Sequence, residues 1–209
     1  MNHGTRDRGQ DDRIPEIAIT GDLTEHESEL TERLLDIEPG GECTFYFDSP
    51  GGSPYCAMSL MSLIRLRGIR ATGVVTGECS SAALWPFAAC ERRLVTAYSI
   101  LLFHPMKWQS EENVGLDEAA EWARHFGQLE KDMDSLLADL FGISREVMFE
   151  WINPGRYISG SELAGAGLAE LISAADIAHP KGIFFPQGVD ESNGAPQPVV
   201  GKPKLRKAP

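Results

Sequence analysis

The order of elements along the chain predicts an α/β fold. Short apolar runs of strand length alternate with amphipathic helical stretches. Gly and Pro clusters separate them, and none of the runs is long enough to span a membrane. With 42% hydrophobic residues in 209, the chain can bury a core of ordinary domain size. No internal repeat is evident.

Each element has its own local reason. Residues 1–13 are polar and read as a disordered N-terminus without a signal peptide. Residues 14–178 read as one domain and 179–209 as a Pro/Gly-rich tail that ends in Lys202, Lys204, Arg206 and Lys207. Ile17 and Ile19 alternate as a strand, which Gly21-Asp22 breaks. Thr24-x-x-Glu27 predicts a capping box, opening a helix to about Ile37. Cys43–Phe47 is a buried strand that enters Asp48-Ser49-Pro50-Gly51-Gly52. Ser53 and Pro54 then fit the cap and first residue of a helix over 54–67.

Ile69–Thr76 is the next strand. Ser81–Cys90 is a short apolar helix, hence buried, with Pro86 predicting a kink. Arg92–Ala97 and Ile100–Phe103 are strands, and 111–115 is a polar loop. Leu116–Phe141 is a long helix with one apolar face and acidic others. A short helix over 144–151, the turn Asn153-Pro154-Gly155, Tyr157-Ile158, a helix over 161–166 and the segment Leu168–Ile172 follow. Ile183–Phe185 reads as one extra edge strand.

Composition excludes several function classes. A net charge of −12 argues against nucleic acid as the partner, because phosphate binding needs a basic surface. The four cysteines, Cys43, Cys56, Cys79 and Cys90, form no CxxC or CxxH pair, which argues against zinc. Cys43 and Cys79 read as small core residues, and free thiols fit a reducing cytoplasm.

The candidate chemistry lies in three segments. Ser81 opens a small-residue helix after a strand, with the Ala82 N–H beside it as an oxyanion donor. Taken alone, Ser81 reads first as an ordinary N-cap serine, and Ser80 is its rival nucleophile. His104 ends a strand and suits a general base; alone it reads first as a structural histidine. His26 and His125 lie on predicted helix faces, His3 and His179 near the ends. Gly51 and Gly52 supply either a tight turn or a second oxyanion donor. Together these are a nucleophile, a base and oxyanion donors.

Taken in order, the segments resemble the Clp protease proteolytic subunit family, from about Ile17 to Ile172. Phe45-Tyr-Phe-Asp-Ser-Pro-Gly-Gly52 is similar to its glycine motif. Gly77-Glu-Cys-Ser-Ser81-Ala is similar to its nucleophile segment, and Leu101-Leu-Phe-His104 to its histidine strand. Arg156-Tyr-Ile-Ser159 and Glu162-Leu-Ala-Gly-Ala-Gly-Leu168 resemble the segment after its third catalytic residue.

The resemblance implies a ClpP/crotonase-like superhelix of ββα units, with the long helix as a protruding handle. It implies a serine endopeptidase acting on unfolded polypeptides or peptides, with no cofactor and no metal. It also implies a homo-oligomer of stacked rings with a sequestered chamber, and an ATPase unfoldase as partner.

Two departures stand out. The family's acid precedes the Arg of the last segment, where this chain has Gly155. Glu150 is the nearest carboxylate, and Asn153 is a candidate orienter of His104 through its side-chain oxygen. Cys79-Ser80 and Ala82-Ala83 also depart from the usual small residues and Met-Gly. The alternatives are a weak or inactive subunit or scaffold, a crotonase-type acyl-thioester enzyme, and a Lys-dependent peptidase using Lys107.

Overall fold

The computed structural model describes residues 13–109 and 113–178. Expectations for residues 1–12, part of the loop 111–115, the strand at 183–185 and the basic tail lie outside the described residues, as do His3 and His179.

Strand β1 (Glu16–Asp22) precedes a 3-10 turn (Leu23–His26) and helix α1 (Glu27–Asp36). Strand β2 (Glu42–Gly51) leads to α2 (Pro54–Leu66), and β3 (Arg70–Cys79) to a 3-10 turn (Ser81–Ala83) and α3 (Leu84–Ala88). Strands β4 (Arg92–Thr96) and β5 (Ile100–Phe103) follow, then the long helix α4 (Leu116–Phe141) and α5 (Arg145–Ile152). Strand β6 (Arg156–Ser159), α6 (Gly160–Gly165), β7 (Glu170–Ile172) and α7 (Ala174–Ala178) complete the described chain. Helix α7 had no counterpart among the sequence expectations.

The main sheet is parallel in the order β1-β2-β3-β4-β7. Strand β3 outruns it and pairs with β5, which pairs antiparallel with β6. Both β2 and β3 are longer than their apolar runs. After a register shift between Phe47 and Ser49 they pair again at Ser49 and Cys79. The pairing thus carries backbone through the Pro-Gly segment, where propensity alone predicts a turn.

Thr24 shows why the first helix differs from expectation. Asp22, not Thr24, caps the turn, accepting from the Thr24 N–H at 2.8 Å. The Thr24 hydroxyl instead accepts the Ser53 N–H at 2.9 Å, which ties this turn to the start of α2. Ser53 caps α2 as expected, accepting from the Tyr55 N–H, with Pro54 in the first turn.

The core lies between the sheet and α1–α5, with Phe45, Phe47, Phe87 and Phe103 wholly buried. Phe103 packs edge-on against Trp151 at 5.3 Å and beside Phe141 at 6.1 Å. Such aromatic pairs contribute about 0.5–1.5 kcal/mol each beyond area burial. They fix the end of β5, where His104 leaves the sheet. Helix α4 spans the expected residues and ends at Gly142 in the left-handed conformation (φ +73°). The Trp85 indole N–H donates to the Met133 carbonyl at 3.1 Å and joins α3 to α4.

Asp134 on α4 is half-buried beside Lys131, Ser135, Arg145 and Phe149. Burial first, and the Glu130 carboxylate second, push its pKa up to about 6. A carboxyl raised above its unfolded value stabilises the fold at low pH, and that stability is lost as pH rises through about 6. Asp134→Asn is therefore expected to be more stable than wild type near neutral pH. The gain is on the order of 1 kcal/mol after allowing for solvent screening. The difference vanishes in urea melts at about pH 4, near the ordinary carboxylate range. A difference independent of pH would refute the assignment.

Among the described residues, no helix is long and apolar enough to cross a membrane.

Candidate active site

The candidate residues gather at the carboxyl ends of neighbouring strands. Gly51 ends β2, Ser81 follows β3 by two residues, and His104 directly follows β5. This is where open parallel sheets usually place their sites. A concavity lined by Glu42, Arg70 and Arg92 lies at the opposite, amino ends of β2–β4. It holds the Glu42–Arg70 ion pair at 2.8 Å and none of the candidate site residues.

Ser81 has φ +54°, in the left-handed region. Serine pays roughly 1–3 kcal/mol for such a conformation, and surrounding structure must impose it. Here a strand turns sharply into a helix, the geometry of a strained nucleophile elbow. The residue is half-buried, and among the described residues its hydroxyl has no hydrogen-bond partner. It is therefore not the N-cap serine of the following helix: no side-chain cap bond forms there. Ser80, the rival, is wholly buried, and its Oγ is also unpartnered.

Gly51 takes a different part from the one its sequence suggests. Its N–H donates to Ser49 Oγ at 3.1 Å, so it is not an open anion donor. Ser49 is buried and passes its own hydroxyl hydrogen to the Gly21 carbonyl at 2.6 Å. What Gly51 supplies is space. A Cβ there would stand 2.8 Å from the Ser80 carbonyl oxygen, 2.8 Å from Ser81 Cβ and 2.9 Å from Ala82 N. With φ +106°, only glycine fits without strain.

The Ala82 N–H has no partner among the described residues, and the neighbouring Ala83 N–H donates to Ser80 O at 3.0 Å. The Gly52 N–H is likewise unpartnered among them. Gly52 presses against Asp22 and Thr24, the turn that holds Ser53.

His104 is half-buried, and its Nδ1 lies 2.6 Å from the Pro105 carbonyl oxygen. Among the described residues its other nitrogen has no partner, so no Ser81–His104 hydrogen bond is formed. Catalytic hydrogen bonds are often long in unliganded enzymes and tighten with substrate.

Among the described residues no hydrogen bond joins Asn153 to this ring. Its amide nitrogen donates to the Phe149 carbonyl at 3.3 Å, closing the end of α5 on itself. Gly155 does lie beside His104: a Cβ there would be 3.4 Å from His104 Cβ and 3.5 Å from Phe103 O. Its φ of +131° suits glycine and disfavours the acid that the resemblance leads one to expect. The next residue, Arg156, pairs with Glu162 at 3.3 Å.

No cysteine competes as nucleophile. Cys79, two residues before Ser81, is fully buried, and burial raises its thiol well above the ordinary value. Burial likewise lifts Cys56 to about 11 and Cys43 to about 12, so the thiolate is suppressed. His26 and His125 stand apart: His26 is in the 3-10 turn after β1, and His125 packs on Phe126 in α4.

Two residues take bracing roles that the sequence reading did not give them. Ser49 and Thr24 hold the glycine turn through their hydroxyls, although the spacing to Glu27 marked Thr24 as a helix cap. Ser49 did stand inside the Asp-Ser-Pro-Gly-Gly segment, which was the available signal.

No family model matches the chain, and no curated protein matches it. Among solved structures, an Asn-to-Asp mutant of ClpP1 from Listeria monocytogenes is similar, with a TM-score of 0.67 and 19% identity. The likeness covers 77% of this chain and 92% of that one. The parallel sheet, the smaller β3-β5-β6 layer and the long α4 helix therefore make up a ClpP-like fold.

Proposed function

We propose that this protein is a serine endopeptidase of the ClpP type, cleaving unfolded polypeptides or peptides. The observation that carries this reading is Ser81, held at φ +54°, whose hydroxyl and the neighbouring Ala82 N–H have no partner among the described residues. Strain at a serine that gains no hydrogen bond from it is better explained by exposure of a nucleophile than by packing.

In this mechanism Ser81 Oγ attacks the scissile carbonyl. His104 Nε2 takes the hydroxyl proton and passes it to the leaving amine. The Ala82 and Gly52 N–H groups hold the tetrahedral oxyanion, and Gly51 keeps the approach to Ala82 open. Water then attacks the acyl-enzyme, with His104 again as base, and Ser81 is regenerated. No metal or organic cofactor takes part. By analogy with the fold, the working form is a homo-oligomer of stacked rings, fed by an ATPase unfoldase in the cytoplasm.

A second reading is an inactive subunit or scaffold. Gly155 in place of an acid, and Asn153 turned to Phe149, favour it.

A fluorophosphonate probe separates the two. Labelling is expected at Ser81, located by mass spectrometry, and is expected to disappear in His104→Ala. Labelling at Ser80 would move the nucleophile by one residue, and no labelling of a folded and assembled protein would overturn the peptidase reading.

A further inference from the structure

The segment after β5 is tied to α4 at two points. The Met106 N–H donates to Glu130 Oε1 at 2.8 Å. The Trp108 ring stacks on Phe126 of the same helix, with centroids 3.8 Å apart and planes 9° from parallel. Pro105 lies between these ties and His104. Its own φ is locked by the ring, and the peptide that carries its carbonyl also carries the Met106 N–H. That carbonyl oxygen lies 2.6 Å from His104 Nδ1.

A carbonyl oxygen only accepts hydrogen bonds, so Nδ1 carries the hydrogen in this contact. In the neutral ring, Nε2 then has the lone pair. This is the tautomer a general base needs, and in Ser-His-acid enzymes a carboxylate selects it. Here Gly155 has no side chain to offer, and among the described residues Asn153 makes no hydrogen bond to the ring, its amide nitrogen donating to Phe149 O.

We propose that the Pro105 main-chain carbonyl orients His104 in place of the missing acid, with Glu130 as the positioning residue that holds this peptide. The proposal deepens the peptidase reading and rests on it. One peptide group serves both contacts: its N–H is anchored by Glu130 and its C=O faces the imidazole. Helix α4 thereby sets the tautomer of a residue in another element. A neutral carbonyl selects the tautomer as a carboxylate does, but it balances less of the positive charge that develops on the ring. The enzyme is therefore expected to be slow but competent.

The test is side-chain 15N NMR of the full chain labelled in histidine, with His104 assigned against His104→Gln. Spectra are taken at about pH 8, above the ordinary histidine range. The expected wild-type pattern is a protonated Nδ1 and a lone-pair Nε2. Glu130→Ala is expected to average the two signals, and to lower kcat for peptide hydrolysis about tenfold with KM unchanged. Glu130→Gln keeps an acceptor oxygen and is expected to restore both readouts.

A protonated Nε2, or averaged signals, in wild type would overturn the role of Pro105. The wild-type pattern surviving in Glu130→Ala would overturn the role of Glu130. The wild-type spectrum depends neither on the folding of a variant nor on activity. If Ser81 resists the fluorophosphonate while His104 shows the protonated Nδ1, the peptidase reading has failed and the Pro105 contact stands.

Discussion

Ser81→Ala is expected to lower peptide hydrolysis by about a thousandfold or more, the usual cost of removing a serine nucleophile. Ser81→Gly is the more telling variant. It is expected to be equally inactive and yet more stable, by about 1 kcal/mol, because glycine adopts φ > 0 without the steric penalty. The Ser81 hydroxyl has no hydrogen-bond partner to lose among the described residues, so only the extra chain entropy of glycine offsets part of the gain. A residue that weakens the fold and is needed for turnover is held for chemistry. Thermal midpoints and a peptide assay on both variants decide the matter. A Ser81→Gly protein that retains activity would remove Ser81 from the mechanism, and one that melts lower than wild type would remove the strain assigned to it.

Gly51→Ala is expected to be the most damaging substitution near the site. The new Cβ would press on the Ser80 carbonyl, on Ser81 Cβ and on Ala82 N, all within 2.9 Å, at a φ of +106°. Overpacking against backbone and left-handed strain together are expected to cost about 3 kcal/mol. Displacing an oxyanion donor is expected to lower kcat by about 10²-fold in whatever fraction folds. Gly155→Ala is the matched comparison. Its Cβ would meet His104 and Phe103 only at ordinary contact, 3.4 Å or more, so only the strain remains, about 1 kcal/mol. Urea midpoints and labelling rates for the pair measure the difference. Equal losses in the two variants would mean that Gly51 does not guard the space beside Ala82.

Strand β5 and helix α4 occupy the residues their sequences predict. Ile100–Phe103 is a short apolar run ahead of Pro105, and Leu116–Phe141 repeats its apolar residues at helical spacing until Gly142. Both signals lie within a few turns of chain, which is the range over which propensity and periodicity act. The extension of β2 to Gly51 and β3 to Cys79 was not legible. It depends on the two strands pairing past the register shift at Phe47–Ser49. The capping box at Thr24 failed for a similar reason. The hydroxyl that would have capped the helix bonds to Ser53, 29 residues away.

By itself the sequence determined the α/β class, the order of elements and the three segments that bear Ser81, His104 and the glycine pair. Each of these follows from residue types at short spacing. Only the tertiary structure decided what the groups do when they meet. It gave Gly51 the role of empty space, because Ser49 claims its N–H and the turn after β3 crowds its α-carbon. It turned Asn153 back onto Phe149 and set the Pro105 carbonyl against His104. A hydrogen-bonding group has many partners available along the chain. Which one it takes is decided by the geometry that the sheet and α4 impose on residues far apart in sequence.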